Sequence, residues 1–401
     1  MAEFRYKAIN PKGEIIKGIH KAKTRDEVLG VITANGYSPL AIEEVTGSKE
    51  IVLGTKKINT KDISIFCRQL ATMLEAGVSI TYSIGILADQ IPNKKLKNIL
   101  TKVNEDIRKG EELSTAMAKY EDEFPKLLIS MVQVGESSGT LDSIMNRMAV
   151  YYENQTKMNG KIKNAMIYPI ILGVVTVAIV SFILIYLMPM FVDMFESSES
   201  ALPAVTQAIL VLSEFLKNNF FAIFGVTAIA VIALRYYITR VDTGIYMYSI
   251  FQLKYSPFKD LNGKTVVSRF ARGLSTVLGA GLSLTSSLDI ISGVVGNNFA
   301  QAKLKTVKEK MLIGESLSET IREADIFPPM LASMIKIGEE SGDMDGILEK
   351  TANFYDEELE RAIANFTAIL EPIMIVIMGV IVGFLVIAIL SPMFGMYETM
   401  M

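Results

Sequence analysis

The sequence predicts an all-α membrane protein with two repeated cytoplasmic helical bundles of about six helices each, three transmembrane helices, and a small N-terminal ββαβ appendage. Three observations predict it: long stretches without charge, a segment that occurs twice at a fixed shift, and a first 48 residues whose periodicity differs from the rest.

Half of the 401 residues are hydrophobic, although 21% are charged. That mixture fits soluble modules joined to membrane segments. A net charge of −3 argues against a broadly basic nucleic-acid binder. One cysteine, Cys67, and one histidine, His20, exclude an internal disulfide and a zinc site of the usual ligands. Cys67 reads as a small core residue and His20 as a solvated strand residue. The start, MAEFRYK, lacks the apolar run of a signal peptide, so the first span is expected to direct the chain to the membrane.

From Ala165 to Val192 no residue is charged, and the stretch is long enough to cross a hydrocarbon core of roughly 30 Å. A second apolar run, from about Phe220 to Ile238, is shorter and closes on Arg235 and two tyrosines suited to the headgroup level. The third runs from Pro372 to about Phe394, again without charge. Cations flanking a span stay in the cytoplasm. Lys157, Lys161 and Lys163 precede the first span, Arg235 and Arg240 close the second, and Arg361 precedes the third. The loop between the first two spans carries Asp193, Glu196, Glu199 and Glu214 against one cation, Lys217, and the tail GMYETMM has no cation. The predicted placement is the inner (cytoplasmic) membrane, multi-pass, with the N-terminus cytoplasmic and the C-terminus external.

The repeat sets the architecture. FCRQLATMLEAGVSI from Phe66 matches FARGLSTVLGAGLSL from Phe270, GEELS from Gly110 matches GESLS from Gly314, and FPKLLISMVQVGESSGTLD from Phe124 matches FPPMLASMIKIGEESGDMD from Phe327. The match continues into the membrane, where Pro169 and Pro189 align with Pro372 and Pro392. At 1.5 Å per residue each proline pair spans ~30 Å, so both copies cross the same thickness in the same direction. The second span has no counterpart and works as a return link, which makes the repeat parallel. Within a copy, Phe66, Leu70, Met73 and Leu74, and again Phe270, Leu274, Val277 and Leu278, mark the buried face of a helix. Gly77 and Gly281 close that helix, and Ser79 or Thr81 can cap the next. Helices follow over about 81–90, 94–109, 111–120, 125–135 and 140–164. The last is expected to continue into the span and to bend at Pro169, as its partner does at Pro372.

Residues 1–48 read as a small α+β domain. Phe4, Tyr6 and Ala8 alternate with charge as a half-buried strand does, Asn10 to Gly13 is a turn, and 14–19 returns as a second strand. Thr24 with Glu27 opens a helix that ends at Gly36, and 40–45 forms a third strand. The remaining partition is a linker at 49–60, bundle one at 61–166, the first span at 167–192, an external loop at 193–217, the second span at 218–238, a cytoplasmic connector at 239–264, bundle two at 265–370, the third span at 371–394 and an external tail at 395–401.

The motifs point away from catalysis. Asn262-Gly263-Lys264-Thr265 ends like a phosphate-binding loop, but Phe258 stands where the leading glycine is required. Gly135, Glu136 and Gly139, repeated as Gly338, Glu339 and Gly342, read as a tight inter-helix turn in which Asp142 or Asp345 caps the next helix. The alternative is a partner surface present twice. Arg68 and Arg272 are either solvated helix charges or contacts for acidic groups of a partner. The first and third spans lack the ionisable groups that an ion relay needs, which weighs against the alternative of a small-solute transporter or channel. No nucleophile, acid–base pair, metal set or cofactor site can be named, so an enzyme is not expected.

Taken together, the doubled FxRxLxxxLxAGxxL-like segment, the doubled GE-x-SG turn, the proline-paired exit helices and the N-terminal YKAINPKGEIIKG…GYSPLAI segment resemble the inner-membrane platform proteins of type IV pilus and type II secretion machines. The resemblance covers nearly the whole chain. It implies a homo-oligomer in the lipid bilayer that couples a hexameric assembly ATPase to extraction and polymerisation of pilin or pseudopilin subunits, beside other inner-membrane assembly proteins and with no direct nucleic-acid contact.

Overall fold

A computed structural model describes residues 2–9, 15–22, 25–34, 36–45, 57–187 and 219–400, together with residues 211 and 215. The expected turn at Asn10 to Gly13, the cap Thr24, most of the linker, Pro189 and nearly all of the acidic loop lie outside these residues.

The chain divides into two units, 1–57 and 58–401. In the first, β1 (Ala2–Ile9) pairs antiparallel with both β2 (Ile15–Ala22) and β3 (Ser38–Val45), giving the order β2-β1-β3, and α1 (Arg25–Ala34) joins the second strand to the third. Gly36, at φ 73°, turns the chain out of α1, a conformation that costs little only without a Cβ.

The second unit is helical. Bundle one comprises α2 (Thr60–Glu75), α3 (Ile80–Gln90), α4 (Lys94–Arg108), α5 (Leu113–Ala118), α6 (Lys126–Ser138) and α7 (Leu141–Phe182). Asn59 and Asp62 start α2 reciprocally: the Asn59 side chain accepts from the Asp62 amide at 2.8 Å, and the Asp62 carboxylate accepts from the Asn59 amide at 3.0 Å. Phe66 and Leu70 are fully buried, with Met73 and Leu74 packed at the edge of the same core. Gly77 leaves α2 at φ 78°, and Gly281 repeats this at φ 87°.

Next come α8 (Phe220–Arg240) and α9 (Asp242–Lys254), and then bundle two: α10 (Lys259–Leu278), α11 (Leu284–Ser292), α12 (Asn298–Leu312), α13 (Leu317–Glu323), α14 (Pro329–Ser341) and α15 (Met344–Met400). The two cores repeat in detail. Phe66 meets Phe124 at 6.1 Å between ring centroids, and their counterparts Phe270 and Phe327 meet at 5.0 Å.

Both bundles end in a helix that does not stop at the bundle. The first turns of α7 bury Leu141, Ile144, Met145, Met148 and Tyr152 at helical spacing. Beyond them the same helix exposes Ile170, Ile171, Val174 and Val177. In α15, Leu348, Ala352, Tyr355 and Leu359 are buried, while Ile375, Val376 and Val380 are exposed. Among the described residues two helices, Leu141–Phe182 and the stretch Met344–Phe384 of α15, are long and apolar enough to cross a membrane. Pro169 and Pro372 lie inside these helices, where each removes the amide that would bond the carbonyl four residues earlier, Ala165 or Ala368.

One detail, the helix caps, differs from the sequence reading, and two segments gain definition. The connector at 239–264 is largely helical, since α9 and the first turns of α10 occupy it. Asn262 to Thr265 lies within α10, where Lys264 is held by Asp260 at 3.1 Å and Glu358 at 3.3 Å, so the segment forms no phosphate loop. Asp142 and Asp345 sit in the first turns of α7 and α15 and are not the caps. The residue before the helix takes that role in copy two, where Asp343 accepts from the Gly346 amide at 3.1 Å; Thr140, its counterpart, makes no side-chain cap bond.

Candidate functional site

The repeated GE-x-SG turn joins three helices. Gly139 and Gly342 terminate α6 and α14 at φ 72°, a left-handed C-cap for which glycine is favoured. Gly135 permits close packing on the exit helix, because a Cβ there would lie 2.9 Å from the Leu141 Cα. Glu136 reaches back across the bundle to α5, where its two carboxylate oxygens accept from the amides of Leu113 at 2.5 Å and Ser114 at 2.9 Å. Those amides belong to a helix N-terminus with no intrahelical acceptors, and a carboxylate satisfies them while meeting the positive end of the helix dipole. Glu339 repeats the arrangement with the Leu317 amide at 2.6 Å and the Ser318 hydroxyl at 2.5 Å. The carboxylates of Glu136 and Glu339 thus fasten each turn to the bundle interior.

The two arginines on the first helix of each bundle both reach the exit helix. Arg68 grips Glu153 of α7 side-on, Nε to Oε1 at 2.7 Å and Nη2 to Oε2 at 2.8 Å, and its Nη1 donates to the Asn146 side chain at 2.5 Å. The bidentate bond holds the Glu153 carboxyl below its ordinary pKa and the Arg68 guanidinium above its own. Arg272 donates to Asp356 of α15 at 2.5 Å and to Asn353 at 2.8 Å, and the Ser268 hydroxyl donates to the other Asp356 oxygen. Each arginine is engaged within the chain by a carboxylate of its exit helix. The first pair is 40% and 43% exposed and the second only 12% on each side. This difference means that one clamp is screened by water and the other is not.

The exit helices also meet each other. Lys161 of α7 forms an ion pair with Glu360 of α15. The Arg147 guanidinium lies against Gly279 at the end of α10, where a Cβ would stand 2.6 Å from its Nη1. Between α7, α10 and α15 is a cavity of about 30 Å³, walled by Tyr151, Gln155, Met158, Ser268, Arg269 and Asp356, with room for a single water. Burial pushes the Tyr151 phenol up and the Arg269 guanidinium down, so each is held in a less charged environment than water provides. Burial also pushes the Cys67 thiol up, which leaves it an unreactive core group. The backbone of His20 lies in β2 opposite Phe4.

Glu153, Asp356 and Glu360 carry no expectation from the sequence, and Lys161 carries only that of a cation flanking the first span. A signal for two of them was present: an acid follows the aligned tyrosine in both copies, as Tyr152-Glu153 and Tyr355-Asp356, and a base recurs at Arg68 and Arg272.

Comparison with known proteins matches residues 66–189 and again 270–392 to the model of the type II secretion system protein F family, and residues 1–43 to the model of that protein's N-terminal domain. The chain belongs to the type II secretion system protein F family. Its relatives within that family carry two kinds of name. The type IV pilus assembly protein PilC of Thermus thermophilus is 33% identical over 405 residues, covering 100% of this chain and 99% of the relative. PilC of Pseudomonas aeruginosa is 33% identical over 90% of this chain and 96% of the relative. The type II secretion system protein F of Vibrio cholerae is 30% identical over 100% of both chains. The two family-model matches coincide with the two copies of the repeat, each taking in a bundle together with its exit helix.

Proposed function

We infer that this chain is an inner-membrane platform of type IV pilus or type II secretion machinery. The observation that carries the reading is the unbroken passage from bundle to exit helix, made twice and clamped at each junction by Arg68 with Glu153 and Arg272 with Asp356. A force on either bundle is thereby delivered to a helix of membrane length.

In this reading α7, α8 and α15 are three spans. The chain is multi-pass, with both bundles and the N-terminal ββαβ module in the cytoplasm and the C-terminus outside, as the flanking cations favour. The bundles engage a hexameric assembly ATPase, the spans contact pilin or pseudopilin helices, and the platform works as a homo-oligomer beside other inner-membrane assembly proteins. Missing backbone bonds at Ala165 and Ala368 make Pro169 and Pro372 the points at which the exit helices bend. Chemistry is left to the ATPase.

Deletion of the gene is expected to abolish pilus display or secretion, and the solubilised full chain is expected to co-purify with the assembly ATPase. Intact pili and secretion in the deletion strain, or solute flux through liposomes holding this protein alone, would overturn the reading. Reporter fusions at Glu199 and at the C-terminus test the sidedness separately.

A further inference from the structure

The helix α9 is built inside out for a water-soluble protein. Its buried residues are small, Gly244 against Tyr237 of α8 and Ser249 against bundle two, followed by Ser256 just beyond its end. Its outward face carries Met247, Phe251 and Tyr255 at i, i+4 and i+8, exposed by 60%, 49% and 73%. A helix in water places large apolar side chains inward and polar ones outward. Here Leu253 packs partly against the core, but the most exposed positions are large and apolar or aromatic and the fully buried ones are small.

The inner face is firmly seated. The Asn297 side chain donates to the Ser249 carbonyl at 3.0 Å, the Asn298 amide donates to the Ser249 hydroxyl at 3.3 Å, and Tyr246 meets the Phe299 ring at 6.0 Å. The outer stripe is therefore held out by the fold, and a simple rotation cannot bury it. Each end of the segment adjoins a long apolar helix. At its start, α8 ends at Arg240 and α9 begins at Asp242. The corner is so tight that a Cβ on Gly244 would fall 2.3 Å from the Tyr237 carbonyl oxygen. At its far end, Phe258 packs on Phe366 of α15 at 4.8 Å, six residues before Pro372.

We propose that α9 lies in the cytoplasmic surface layer of the bilayer, with Met247, Phe251 and Tyr255 set at the boundary between lipid headgroups and acyl chains. The inference rests on the reading of α8 as a span. An interfacial helix of this kind sinks its apolar face roughly 5–10 Å into the boundary, where a tyrosine can keep its hydroxyl at the wet edge. Thirteen residues give a rod of ~20 Å, a second attachment to lipid that bundle one lacks.

The chain contains no tryptophan, so a single introduced one reports alone. Phe251→Trp, with Tyr255→Trp as a second reporter should the first fail to fold, is placed in the full chain in lipid bilayers, and Ile229→Trp marks the middle of α8. Quenching of the α9 reporter is expected to be roughly twofold stronger with lipids brominated just below the headgroup than with lipids brominated near the bilayer centre. The α8 reporter is expected to show the reverse order. An α9 reporter that no brominated lipid quenches, beside a quenched α8 reporter, overturns the proposal. It places α9 in water if iodide quenches it, and under a protein partner or second copy if iodide does not. An α8 reporter that no brominated lipid quenches overturns the span reading itself.

Discussion

Arg272→Leu removes one partner of a buried clamp and leaves the Asp356 carboxylate, 12% exposed, with the Ser268 hydroxyl as its remaining side-chain donor. Stranding a buried charge costs about 3–5 kcal/mol, and the surviving serine bond places this case near the lower end. Arg68→Leu makes the corresponding change in copy one, where the partners are 40% and 43% exposed. Water then solvates the abandoned Glu153, and after solvent screening the loss is about 1 kcal/mol or less. The two substitutions are equivalent in sequence and differ by about 2 kcal/mol or more in consequence. Far-ultraviolet circular dichroism of the solubilised full chain follows the loss of helix on heating or denaturation and ranks the variants. The double variant Arg272→Leu with Asp356→Leu removes both charges and is expected to recover most of the loss. Equal destabilisation by Arg68→Leu and Arg272→Leu, or a double variant as weak as Arg272→Leu alone, would refute the burial argument.

Gly135→Ala drives a Cβ to 2.9 Å from the Leu141 backbone and is expected to cost about 1–3 kcal/mol in the same unfolding measurement. Gly338→Ala meets the Met344 sulfur first, at 2.9 Å, and the flexible thioether can yield, so its cost is expected to be the smaller of the two. Glu136→Gln puts an amide nitrogen where one acceptor oxygen stood, which leaves Leu113 or Ser114 without its bond; a loss of about 1–3 kcal/mol is expected, with faster hydrogen exchange in the first turn of α5. The Glu153 carboxyl titrates lower in the folded than in the unfolded chain because Arg68 bonds it. Its contribution is therefore complete above the unfolded value of about 4.3 and lost as pH falls through the folded value, so the stability gap between wild type and Arg68→Leu is expected at pH near 7 and to vanish under strong acid.

Much of this architecture is legible without coordinates because it depends on local composition or on repetition. A charge-free stretch must avoid water wherever the chain takes it, and Phe66, Leu70 and their counterparts announce a helix face through spacing alone. Gly77 and Gly281 carry a left-handed turn in the residue type itself. The candidate site is different in kind. Arg68 and Glu153 are 85 positions apart, and a charged residue on a helix looks solvated until the facing helix is known. Glu136 illustrates the same limit, since its acceptors' partners lie on α5, more than 20 residues earlier. The helix α9 falls within the connector at 239–264; its buried positions, Gly244 and Ser249, carry no apolar signal, and Leu253 packs against the core only in part.

One repeated residue shows how the two copies came to differ while keeping their fold. Asn93 and Asn297 occupy the same place, and each uses its carbonyl oxygen to cap the helix that follows, accepting from Lys95 at 3.0 Å and from Ala300 at 3.0 Å. Each has an amide group left to donate. In copy one it goes to Asp62 at 2.7 Å, the acid that starts α2, so the bundle closes upon itself. In copy two Val266 occupies the place of Asp62, α10 begins earlier, and the same amide donates to the Ser249 carbonyl of α9. The spare hydrogen bond of a helix cap thus ties bundle two to α9. In the proposed three-span reading, two exits in the same direction demand a return helix between them, and this tie makes the return part of the second bundle. In the same reading, bundle one connects to the bilayer through α7 and through its contacts with bundle two, at Arg147 beside Gly279 and Lys161 with Glu360. A displacement of bundle one therefore has to act on α7 or on that interface, and this is where a platform that converts bundle movement into span movement must carry the strain.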